Sequence, residues 1–124
     1  MSTRNPDDSQ QSEALESLAA KTCQACTGEV PPLRGAKLLP YATQLGHGWH
    51  IVHEHNLHKR FAFPDFASAL RFVNAIGEVA EKEGHHPDLH LGWGKVEVTI
   101  WTHKIDGLTE SDFVLAAKVE RLPR

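Results

Sequence analysis

Lys95-Val96-Glu97-Val98-Thr99-Ile100-Trp101-Thr102-His103 alternates aliphatic and polar side chains without a break. A strand repeats every two residues, so Val96, Val98 and Ile100 share one face while Glu97, Thr99, Trp101 and His103 share the other. One face is suited to a core and the other to solvent, which is the signature of an antiparallel sheet covered on one side. This parity also leaves His103 at the strand end, pointing away from the aliphatic face.

The same reading extends upstream. Gly92 and Gly94 bracket a turn, and Leu89, Leu91 and Trp93 alternate as the strand before it. Pro64-Asp65 supplies a stop and an N-cap, after which Phe66, Leu70, Val73, Ile76 and Ala80 recur at helical spacing until Gly84, a residue suited to a left-handed C-terminal cap. Trp49 to Glu54 and Arg60 to Phe63 also alternate, which predicts a hairpin joined through His55-Asn56-Leu57. Downstream, Gly107 and a capping box from Thr109 to Asp112 open a closing helix whose inward residues are Leu115, Val119 and Leu122. The order β-β-α-β-β-α predicts an α+β fold, a four-stranded antiparallel sheet with helices packed on one face.

The N-terminal part is an extension. Residues 1–22 are expected to form a polar tail or a short helix, with Ala14, Leu15, Leu18 and Ala19 spaced to dock, and residues 23–124 to form a single domain. Leu38, Leu39, Ala42 and Leu45 predict a further helix after the Pro31-Pro32 break, with Pro40 near its start.

With 124 residues, 40% of them hydrophobic, the chain is long enough for one real core. It carries no apolar run of membrane-spanning length and no basic-then-apolar leader, so the cytoplasm is the expected location. A net charge of −3 with scattered Lys and Arg argues against direct nucleic-acid binding. The two cysteines, Cys23 and Cys26, have redox or zinc spacing but no second ligand pair, and most simply are two small side chains near a turn.

Chemistry concentrates in Glu81-Lys82-Glu83-Gly84-His85-His86-Pro87-Asp88, answered by Thr102-His103 and Thr109-Glu110-Ser111-Asp112. A helix end, a strand end and a helix start are places where distant segments converge, and histidine is the usual proton carrier near neutrality. Simpler readings stand beside this one. Glu81 reads equally as a solvated helix residue, Asp112 as a cap, and Trp49 as a sheet-core aromatic. The imidazoles of His85, His86, His90 or His103 are also adequate zinc ligands.

Over Gly48 to Leu122 the chain resembles the pterin-4a-carbinolamine dehydratases, also called dimerisation cofactors of a homeodomain transcription factor. The resemblance rests on Gly48-Trp49, Phe61-x-Phe63-x-Asp65-Phe66, Ala80-Glu81, His85-His86-Pro87, Lys95-Val96, Thr102-His103 and Gly107-Leu108-Thr109 followed by Asp112, with ungapped spacing from His85 to Asp112. Gly84 departs from the family, which commonly has a polar residue before the paired histidines. The resemblance implies dehydration of a 4a-hydroxytetrahydropterin to a quinonoid dihydropterin without a metal or other cofactor. It also implies that His85 and His103 are the acid/base pair, that His86 and Trp49 bind the pterin, and that Glu81 and Asp112 support the histidines. A homodimer or homotetramer is expected, with the edge strand near Leu89 to Trp93 as one contact. A non-catalytic dimerisation or coactivator module is the alternative.

Overall fold

The computed structural model describes residues 6–23 and 30–124. Helix α1 (Pro6–Ala19) is followed by a 3-10 turn (Gly35–Leu38) running into α2 (Leu39–Leu45). The remaining elements are β1 (His50–Val52), β2 (Asn56–Ala62), α3 (Phe66–Glu83), β3 (Asp88–Gly92), β4 (Lys95–Ile100) and α4 (Glu110–Glu120). The four strands pair antiparallel in the order β1-β2-β4-β3, the α+β sheet that the alternation predicts. Among the described residues no helix is long and apolar enough to cross a membrane.

Val96, Val98 and Ile100 are buried as their parity requires, and they meet Leu57 and Phe61 from β2 on the helix side of the sheet. Ala69, Phe72, Ile76 and Ala80 form the buried side of α3. The Phe72 ring lies 4.8 Å from that of Phe61 and 5.2 Å from that of Phe63. This rotates the helix relative to the stripe expected from sequence, and leaves Phe66 and Leu70 exposed. Helix α4 is buried on nearly every side, from Ser111 to Glu120 with Lys118 partly open, because it lies between the sheet and the pair α1 and α2. It is a central helix, and its inward residues extend well beyond Leu115, Val119 and Leu122. Leu15, Leu18 and Ala19 of α1 are buried, so the N-terminal helix contributes to the core.

The first hairpin turns earlier than its sequence indicates. His53 and Glu54 both have positive φ, 51° and 55°, and the His55 N–H donates to the Val52 carbonyl at 2.9 Å. Its two central residues take the left-handed conformation that Asn and Gly favour, and His55 completes a three-residue loop before Asn56 pairs with Val52. Asn56 and Leu57 therefore belong to β2, where Leu57 pairs with Ile51 and Ile100. Strand β4 also ends sooner, at Ile100, and Thr102 forms an isolated bridge to Gly107. Pro32 packs so closely against Gly107 that a Cβ there would lie 2.7 Å from the proline ring.

Lys59 projects into the helix layer between Leu57 and Phe61 and binds Glu120 at 2.6 Å. The Glu120 side chain is only 3% exposed, and Lys59 is its nearer cation, with the Arg124 guanidinium 3.7 Å away. Breaking such a pair costs far more than replacing both members. Lys59→Met should lower stability by about 3 kcal/mol in urea denaturation, and adding Glu120→Leu should recover most of the loss.

Candidate active site

β3 begins beside the end of β4, with Asp88 opposite Thr99, so the loops preceding β3 and following β4 share one end of the sheet. The β1–β2 turn lies at the same end, because Leu57 pairs with Ile100. Gly84 closes α3 in the left-handed conformation, φ 65°, and the His85 N–H donates back to Ala80. That tight stop is what turns His85 out of the helix and towards the first turn of α4.

The His85 Nε2–H donates to Asp112 Oδ1 at 2.6 Å. Asp112 is fully buried, and its second oxygen accepts the Thr109 backbone N–H at 2.8 Å and the Thr102 hydroxyl at 2.8 Å. The Thr102 and Thr109 hydroxyls lie 3.0 Å apart and extend the network. A buried carboxylate needs such donors, and the amino end of α4 adds the favourable side of the helix dipole. The capping function and the histidine contact, alternatives in the sequence, are both present in one side chain.

The other histidines are held differently. His86 is exposed and lies 3.3 Å from Glu81 Oε2. Glu81 thus faces His86 and not His85, because the αL stop at Gly84 swings the two imidazoles apart. His103 is exposed, and its ring stacks on Trp101 at 4.2 Å with 22° between planes. Trp101 also contacts His55, ring centroids 5.5 Å apart. His55 in turn donates to Asp106 at 2.7 Å and to the Asn56 side-chain carbonyl at 3.2 Å. Asp106, more than any other group, holds the His55 imidazole above its ordinary pKa, and Asp112 adds a smaller effect at longer range.

Trp49 sits apart from this cluster. It precedes β1, at the opposite sheet edge from β3, and packs edge-on against Phe61 at 6.0 Å. Its indole Nε1 is buried without a hydrogen-bond partner among the described residues. Cys26 falls outside the described residues, and with it the reading of the cysteine pair. Cys23 binds Glu83 through its backbone N–H at 3.3 Å. Among the described residues no three His, Cys, Asp or Glu side chains converge to hold a metal ion.

The sequence points to Thr102 only as the neighbour of His103, and to Trp101, His55 and Asp106 not at all as site residues. Thr102 had a signal: it continues the Val96-Val98-Ile100 parity and so places a hydroxyl on the inward face. His55 and Asp106, 51 residues apart, had none.

Asp112→Asn replaces one acceptor oxygen with a donor facing donors. It should cost about 2 kcal/mol of stability in denaturant melts and free the His85 ring. Glu81→Gln, in an exposed pair, should leave stability unchanged within error.

Residues 31–122 match the family model described as pterin 4 alpha carbinolamine dehydratase. A protein of Rubrobacter xylanophilus, provisionally named pterin-4-alpha-carbinolamine dehydratase, is 56% identical over 108 residues, covering 87% of this chain and 100% of that one. One of Alkaliphilus metalliredigens with the same provisional name is 50% identical over 107 residues, covering 86% and 96%. The crystal structure of a transcriptional coactivator/pterin dehydratase from Brucella melitensis is similar with a TM-score of 0.67 at 31% identity, over 72% of this chain and 95% of that chain. A pterin dehydratase-like protein described as a RuBisCO assembly factor in the alpha-carboxysome gives 0.52 at 28% identity, over 60% and 88%. On the length and identity of these matches, the chain belongs to the pterin 4 alpha carbinolamine dehydratase family.

Proposed function

We propose that this protein dehydrates a 4a-hydroxytetrahydropterin to the quinonoid dihydropterin, with His85 and His103 as its acid/base pair. In that reaction the C4a–O bond breaks and water leaves, carrying a proton from a general acid. The proton on the neighbouring ring nitrogen passes to a general base, and its electron pair closes the new C=N bond. One group ends a proton short and the other a proton rich, and exchange with solvent resets both.

The observation that carries this reading is the His85–Asp112 contact. A carboxylate accepting from Nε2 fixes the imidazole in one tautomer, leaving the Nδ1 lone pair for a bound molecule. This suits His85 to the base role and leaves the acid role to His103 at the strand end. His86, exposed and loosely tied to Glu81, is assigned to holding the ring. Trp49 stays a binding candidate by resemblance alone, since its indole N–H is buried beside Phe61.

A second reading, a non-catalytic binding module, draws on the two structural relatives, one described as a transcriptional coactivator and the other as an assembly factor. Turnover separates the two. Steady-state kinetics on chemically generated carbinolamine, corrected for spontaneous dehydration, should show parental activity and a loss of about 10²- to 10⁴-fold in kcat for His103→Ala. His86→Ala should act mainly on KM, since holding the ring is uniform binding. Parental kcat in a folded His103→Ala protein would remove that residue from the mechanism. A folded parent with no turnover above the spontaneous rate would favour the binding module.

A further inference from the structure

We infer that His55, ion-paired to Asp106, is a positioning residue that fixes the His103 imidazole through Trp101 and through the turn that carries both His103 and Asp106. The inference rests on the proposed role of His103. Among the described residues no hydrogen bond or ion pair restrains the His103 ring, and it is exposed; its ring contact is the stack on Trp101 at 4.2 Å. An acid/base group with so little anchorage needs its orientation set by neighbours.

The neighbours are tied to a fixed base. Thr102 and Gly107 bridge, the Ile105 N–H donates to Thr102, and the Asp106 N–H donates to the His103 carbonyl at 3.2 Å. Displacing Asp106 therefore displaces His103. Asp106 itself has φ 54°, a left-handed conformation that Asp and Asn adopt more readily than other side chains. This aims its carboxylate at His55 Nε2, 2.7 Å away. On the far side, His55 is anchored by the tight turn at His53-Glu54, and Glu54 Oε1 accepts the Gly35 N–H at 2.7 Å. Trp101 touches the imidazoles of both His55 and His103, so the ring that orients one is seated against the other.

Both nitrogens of His55 face acceptors, Asn56 Oδ1 and Asp106, so the doubly protonated ring is the form that satisfies both contacts. The charged or titratable groups facing it are Asp106 from the loop after β4, Asp112 at longer range from α4, and His103 across the Trp101 contact. Because the folded pKa of His55 is raised, the charged latch is fully formed below the ordinary histidine range while Asp106 stays ionised, and it weakens to a neutral hydrogen bond as pH rises through the raised value.

The test uses the full chain and Asp106→Asn, which keeps side-chain shape, tolerates the left-handed backbone and removes the charge. Nuclear Overhauser contacts between the Trp101 indole and the His103 ring report the stack without turnover. The parent should show them most strongly below the ordinary histidine range, with Asp106 ionised, and more weakly as pH rises through the His55 titration. Asp106→Asn should weaken them across the pH range in which the parent shows them and flatten their pH dependence, and lower kcat by up to about 10²-fold with KM little changed. Undiminished contacts in a folded Asp106→Asn protein, or contacts independent of pH in the parent, would overturn the inference. If the contacts respond as expected but the parent does not dehydrate a carbinolamine, the latch stands and the proposed function falls.

Discussion

The carboxylate of Asp112 is the interaction on which the rest of this end of the molecule depends. It is fully buried, and its two oxygens tie three element ends together: His85 after α3, Thr102 after β4, and Thr109 at the start of its own helix α4. Removing a carboxylate from water costs several kcal/mol unless donors replace the water. Here the donors are the cap N–H, a threonine hydroxyl and the imidazole. The contact that orients His85 is thus also one that starts α4 and closes the sheet end. Site and fold share a single residue.

The three site histidines are held by three different physical means. His85 is fixed by a short hydrogen bond to a buried charge, His86 lies against the exposed Glu81, and His103 rests on an indole face. The three modes of contact suit the tasks proposed for them. A base needs a defined tautomer, a ring-binding residue tolerates freedom, and an acid at an open strand end has to be positioned by its surroundings. The exposed His55–Asp106 pair supplies such a surrounding, with its own dependence on protonation.

What was legible in the sequence followed from periodicity. The alternation through Lys95 to Ile100, the Asp65 cap and the Gly84 stop each have a local physical cause, and each stands where the pattern places it. The hairpin turn was not legible, because His53-Glu54 adopts a conformation that glycine or asparagine usually signals. The rotation of α3 was hidden as well. It is decided by where Phe72 meets Phe61 and Phe63, a matter of three-dimensional packing. In the site, the convergence of His85, Thr102 and Asp112 could be read from element ends. Glu81's choice of His86 could not, since it depends on the turn at Gly84. Trp49 was joined to the site by resemblance, and the fold places it among the aromatic side chains of the opposite half of the sheet.

The most direct test of the account is a crystal structure of the protein soaked with an unreactive dihydropterin. The account predicts the ring at the sheet end, with a ring heteroatom about 3 Å from His85 Nδ1, the His103 imidazole beside the C4a position, and the His85–Asp112 contact intact. A pterin bound elsewhere, with His85 and His103 both untouched, would contradict it.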